Sequence, residues 1–257
     1  MRFPGLAVFG VIFGVVMVAM PFFFVGVAHA DTTCALSPTD FAKIAAVQSD
    51  PSFTPTEEVI QELVVRKQLL SQTITCAQTE VSSLQSVLLA ATTTYGTQNI
   101  QSQLLSDLDG ASDFYTIEKS KLNNVGIAGS KEIASEILAW RAGTYTPLEG
   151  KINNYLLWTQ DQSFFNTAQA RMDETQNAVN FLESTSASQD LQNAFNTTYA
   201  SFQSAKAQNA AAESALAQSL APDQSLTLIK QSLDSLSSTY QGFFAVSDAI
   251  KALLPQP

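Results

Sequence analysis

Histidine is almost absent from this chain of 257 residues: it occurs once, at His29. Cysteine occurs twice, at Cys34 and Cys76, and 13 lysines and arginines face 23 acidic residues. The lone histidine lies in the first thirty residues, a segment that reads as an export leader. Beyond it no Ser-His-Asp or Cys-His nucleophile, no His-ligated zinc and no imidazole switch can be built. The scarcity of basic residues argues against nucleic acid or an anionic membrane surface as the main partner, since both require clustered lysine and arginine. Phosphate-binding loops are missing too, as no glycine-rich run leads into a Walker lysine. No cofactor and no metal is expected.

The first thirty residues differ in kind from the rest. Arg2 precedes an apolar stretch from Phe3 to Ala28, which closes on Ala28-His29-Ala30 before Asp31. A positive start, an apolar middle and a small-x-small site are the three parts of a secretory signal peptide, with cleavage at Ala28 and Ala30. The run is also long enough to cross a bilayer, so residues 1–30 are either a cleaved signal or an N-terminal anchor. Pro21 and four glycines weaken the anchor reading. In both cases residues 31–257 are expected outside the cytoplasm, with membrane contact only through an uncleaved leader. In an oxidising compartment a lone pair of cysteines forms a bridge more readily than it stays free. Cys34 and Cys76 are therefore expected to pair, closing a loop that stabilises the fold by roughly 3–4 kcal/mol.

Helix signals fill the remainder. Ser37-Pro38-Thr39-Asp40, Thr54-Pro55-Thr56-Glu57 and Thr146-Pro147-Leu148-Glu149 each place a hydroxyl at the N-cap, proline at the first helical position and a carboxylate at the third. From Ile60 to Ala91 apolar residues recur at alternating steps of three and four, broken at Lys67, as in a heptad seam. A second stripe runs from Ile100 to Val125, and Gly126-Ile127-Ala128-Gly129 interrupts it. Ser130 restarts a short helix through Trp140. A third stripe from Pro147 to about Ser184 alternates apolar layers with Gln162, Gln169 and Gln176, which either fix register inside the core or face a partner. The stripe through residues 187–220 is narrow and rich in alanine, serine and glutamine, and the last runs from Pro222 to Leu254. The spacing predicts an all-α fold: an elongated antiparallel bundle of about five coiled-coil-like helices around one core, forming a single domain over 31–257.

Chemistry is sparse along these helices. Glu132 and Glu136 share a face, as a solvated pair does. Asp107, Asp109 and Asp113 imitate part of a calcium loop, but Leu105 and Thr116 would fall at its first and twelfth ligands. Asn196-Thr197-Thr198 matches a glycosylation sequon within a predicted helix. Aromatics gather near the third long helix. Most such residues fill space between helices, yet Trp140, Arg141, Tyr145 and Trp158, near the Gly143-Thr144 connection, are also candidates for an interaction tip.

Long capped helices with Gln/Ala/Ser/Thr-rich surfaces behind an export leader resemble the small helical-bundle subunits of bacterial type IV secretion and conjugation machines. The resemblance is architectural and carries no site residues. It implies a periplasmic or pilus-tip protein that aids assembly and cell contact through protein partners. The expected function is thus a non-enzymatic structural, adhesive or assembly role in the cell envelope. The competing expectations are a secreted helical pore-former and an enzyme acting on glycans with two acids.

Overall fold

The computed structural model describes residues 38–91, 97–186, 189–218 and 220–253. The chain divides by its contacts after Asp31, and the compact unit Thr32–Pro257 holds every element described below. Among the described residues there are seven α-helices and no strand, the all-α bundle that the sequence periodicity predicts. They are α1 (Pro38–Gln48), α2 (Pro55–Ala90), α3 (Gln98–Lys121), α4 (Ile127–Trp140), α5 (Thr146–Ser186), α6 (Gln189–Ala217) and α7 (Pro222–Leu253). A short 3-10 turn, Leu122–Asn124, follows α3.

The start of α2 follows the sequence expectation. The Thr54 hydroxyl accepts from the Glu57 N–H at 3.4 Å, and the Glu57 carboxylate accepts from the Thr54 N–H at 2.9 Å. This reciprocal capping box satisfies two donors that the first turn would otherwise leave open. The Ser37 cap lies outside the described residues.

The expected helix start at Thr146 needs correction. Thr146 is itself helical (φ −61°, ψ −43°), and its N–H bonds to Arg141 O through a π-helical turn, Arg141–Tyr145. The backbone is therefore helical without interruption from Ile127 to Ser186. Pro147 explains the wide turn: it offers no N–H, and in a regular helix its ring would strike the carbonyl four residues earlier, at Gly143. An extra residue in the turn moves that carbonyl aside.

The hydrogen bonds between helices set their directions. From α2 to α3, Gln85 bonds Asp109 at 2.7 Å, Gln78 bonds Thr116 at 3.2 Å, and Lys119 bonds Thr75 at 3.0 Å. Partner numbers rise on one helix as they fall on the other, so the pair is antiparallel. The α5–α6 pair is also antiparallel, through Gln162–Asn209 and Gln169–Lys206. Asn154–Ser225 and Phe164–Tyr240 make α5 and α7 parallel. The α6–α7 hairpin packs closely because its facing residues are small. A methyl built on Gly242 would lie 2.9 Å from both Cβ and Cγ2 of Thr198. The alanine- and serine-rich stripe is thus a close-approach surface.

The core is not the single cluster expected for five helices. One apolar cluster joins α2, α3, α4 and the first half of α5 to Ala212, Leu216 and Ile229. A second joins the later half of α5, from Phe165 to Val179, to Phe202, Ala205, Leu236 and Val246. Helix α5, about 60 Å long at 1.5 Å per residue, contributes to both. Asn154 locks the turn between α6 and α7 onto it by donating to Pro222 O at 2.7 Å. Among the described residues no helix is long and apolar enough to cross a membrane.

Candidate functional site

The π turn gathers the most concentrated polar and aromatic chemistry in the described chain. Its first residue, Arg141, donates from one guanidinium nitrogen to Glu80 Oε2 at 2.8 Å and to the Tyr115 hydroxyl at 2.9 Å. Its last residue, Tyr145, is buried, and the Arg141 guanidinium carbon lies 4.9 Å from the centre of its ring. One extra residue in the turn thus lets α2, α3 and the α4–α5 helix meet at one cation. Trp140 stacks on Phe114, with centroids 4.1 Å apart and planes 13° from parallel, and meets Tyr115 edge-on at 5.4 Å.

The electrostatics follow from this burial. Loss of water pushes the Tyr145 hydroxyl well above the ordinary phenol range, with the negative charges of Glu80 and Glu149 adding to the effect. Burial also raises Tyr115, against the opposing pull of Arg141. For Arg141 burial works against the charge, but the Glu80 carboxylate and Tyr115 outweigh it and hold the guanidinium more firmly protonated. Among these groups a cation is kept charged and two phenols are kept neutral, which suits anchoring and not proton transfer.

Beside the turn lies a groove of about 530 Å³, between Asp107 and Gly110 of α3 and Trp140, Gly143, Thr144 and Lys151. A Cβ added at Gly110 or Gly143 would meet nothing within 4 Å. The Asp107 carboxylate already accepts from Gln103 at 2.9 Å. The groove offers one acid, one ammonium and two hydroxyls, a set that can hold a polar ligand or side chain.

Of the candidate tip residues, Trp140, Arg141 and Tyr145 are brought together on the helical turn, Tyr145 buried and Trp140 and Arg141 half-buried. Trp158 stands apart: it is buried, stacks on Tyr155 at 6.5 Å, and points its indole N–H at Asn209 O, 3.4 Å away. The physical reason is the continuous helix, which turns these side chains inward where a loop would have displayed them. Gln162 is half-buried and makes a reciprocal amide pair with Asn209, at 3.1 and 3.3 Å. Gln169 bonds Asp173 on its own helix and Lys206 of α6 at the surface, and Gln176 bonds Asn180 on its own helix. Gln162 thus pairs across helices at the edge of the core, while the hydrogen bonds of Gln169 and Gln176 are exposed.

The other candidates are placed plainly. Glu132 is exposed, and Glu136 pairs with Lys121 at 3.1 Å. Asp109 is held by Gln85 within the helical run of α3. Asn196 is exposed on α6. Among the described residues no group of three or more His, Cys, Asp or Glu side chains could hold a metal ion. Ala28, Ala30 and Cys34 lie outside the described residues. Cys76, on α2, is not a free thiol.

Several buried polar residues were not singled out from the sequence. Glu80 and Tyr115 anchor Arg141, and Glu118 pairs with Lys121 at 2.7 Å through one oxygen while the other is buried without a hydrogen-bond partner. Asp161 is another: it is 5% exposed, and burial pushes its carboxyl up to about 7. Its signal was legible, because it stands three residues after Trp158 and four before Phe165, on the core spacing itself. Compared with known proteins, the chain matches no family model, no curated protein and no solved structure.

Proposed function

We propose that the chain is an exported, non-enzymatic structural or assembly protein of the bacterial cell envelope, working through contacts with other proteins. A component of a secretion or conjugation apparatus is the specific form its architecture suggests. The observation that carries this reading is the use of its polar chemistry. Arg141, Glu80, Tyr115, Gln162, Asn209, Asn154 and Trp158 each bond to a different helix and so hold the bundle in register. Such a body suits a protein whose task is to keep its form and present surfaces.

The expected bridge belongs to the same reading. Gln48 of α1 donates to Glu62 of α2 at 3.0 Å, and the short connection makes the two helices antiparallel. An intact bridge suits an oxidising compartment.

Fractionation of cells producing the full chain tests the proposal. The expected result is protein in the periplasm, on the cell surface or in the medium, with its N-terminus at Asp31 or retained as an anchor, and crosslinked to envelope proteins. Recovery as a free monomer in the cytoplasm would overturn it. The pore-forming alternative predicts leakage of liposomes at micromolar protein, and the glycan-acting alternative predicts release of reducing sugar from cell-wall material. Either activity would displace the structural reading.

A further inference from the structure

The two apolar clusters are divided by a layer of polar residues, one level deep, across three helices. On α5 the first cluster ends at Trp158 and the second begins at Phe165, with Asp161 and Gln162 between. On α6 the clusters are bounded by Ala205 and Ala212, with Asn209 between, and on α7 by Ile229 and Leu236, with Ser232 between. Each of the three helices places a polar residue at this height, and on α7 the half-buried Leu233 keeps one apolar contact with the first cluster beside it. Ser232 is buried and donates to Ala205 O at 3.2 Å, while Gln162 and Asn209 exchange amide hydrogen bonds. Gln162 and Asn209 thus satisfy each other and Ser232 is satisfied by a backbone carbonyl, and Asp161 is the only acid of the four.

We propose that this layer is a proton-controlled joint. With Asp161 neutral, α5, α6 and α7 pack as one continuous stack, and its ionisation loosens the layer so that the α6–α7 hairpin parts from α5 at this height. A neutral carboxylic acid is tolerated in such a seam as a small polar group. A carboxylate is costly there, because the seam removes most of its water and among the described residues no cation pairs with it.

The surroundings of Asp161 support this reading. Lys206 on α6 is exposed, bonded to Gln169 at 3.3 Å and 5.6 Å from the centre of the Phe202 ring. Glu213, one turn beyond Asn209, is half-buried, and Lys230 and Asp234 on α7 are exposed. Tyr240 donates to Phe164 O at 3.4 Å with the Arg171 guanidinium over its ring. Residues 81–106, which include the end of α2 and the start of α3, contain no Asp, Glu, Lys, Arg or His. Burial alone accounts for the Asp161 carboxyl lying near 7 and not at its ordinary 3.8.

The sign follows by linkage. Between the two values the folded state holds a proton that the unfolded chain has lost. The Asp161 contribution is therefore fully present below pH 4 and is lost as the pH rises toward 7 and above. Between pH 5 and pH 8 the folding equilibrium constant should fall about a hundredfold through this group alone.

Urea unfolding of the full chain and of Asp161→Asn at both pH values measures it. The wild type should lose about a hundredfold relative to the variant, and amides of 205–212 and 229–236 should exchange faster at pH 8 than intrinsic rates require. Parallel pH profiles for the two proteins would overturn the proposal. Should Asp161→Asn fail to fold, carbon-detected titration of the Asp161 carboxyl in the wild type decides it. A midpoint near 7 with broadening of the Gln162 and Asn209 amide signals supports the joint, and a midpoint near 4 refutes it.

Discussion

Removing the guanidinium at the π turn is the sharpest test of how the lower part of the bundle is held. Arg141→Met keeps the length of the side chain but deletes both hydrogen bonds and the charge over Tyr145. It strands Glu80, whose side chain is 10% exposed, and leaves the buried Tyr115 hydroxyl without its donor. Breaking one side of a fully buried pair costs about 3–5 kcal/mol, whereas exposed pairs are worth roughly 0–1. The Arg141 side chain is 28% exposed, so water can partly replace it, and the lower end, about 3 kcal/mol, is expected. For a domain of this size that lowers Tm by roughly 6–12 °C. Glu80→Leu combined with Arg141→Met should recover most of the loss, since a pair replaced by apolar side chains is often neutral. Urea unfolding at pH 7, followed by far-UV circular dichroism, gives each value. A loss under about 1 kcal/mol for Arg141→Met would place the pair with exposed ones and contradict its role in holding the turn.

Other substitutions probe the packing. Gly242→Ala should destabilise by about 1–2 kcal/mol even though alanine favours helix, because its methyl meets the fully buried, branched Thr198. Gly110→Ala, facing open space in α3, should instead stabilise by about 0.8 kcal/mol; equal signs for the two in thermal melts would contradict the close α6–α7 approach. Thr54→Ala should cost about 1 kcal/mol by opening the capping box, measurable by urea unfolding. Reduction should add two thiols to the unfolded protein by mass and lower its stability by roughly 3 kcal/mol, and unchanged unfolding with and without reductant would remove the bridge from the account.

Much of this architecture is written in the chain. The heptad seam is buried or half-buried from Leu70 onward, where the stripe at Ile100, Leu104 and Leu108 of α3 joins it in one cluster, whereas its expected first residue, Ile60, is 53% exposed. Thr54-Pro55-Thr56-Glu57 starts a helix because every group needed is local. Thr146-Pro147-Leu148-Glu149 has the same letters and starts none. Packing of Tyr145 and Leu148 into the first cluster holds the backbone helical through the proline, and the π turn absorbs the missing donor. That one local difference also sets Trp140, Arg141 and Tyr145 on a continuous helix, with Tyr145 buried and the other two half-buried. Asp161 and Gln162 fit the third stripe equally well by spacing, and the amide is the less costly residue to bury. The division of the core into two clusters is a property of where polar residues on three separate helices come level, which no single stripe reveals.

On the proposed function, the bundle uses its polar groups for internal bonds and would act by presenting its surface to envelope proteins. Leu138 and Phe244, 71% and 65% exposed on α4 and α7, are suited to carry a photo-crosslinking residue without disturbing the core. Irradiation of intact cells exporting such variants should yield discrete covalent adducts with envelope proteins from at least one position. Only uncrosslinked monomer from both, with the protein folded and exported, would contradict the account.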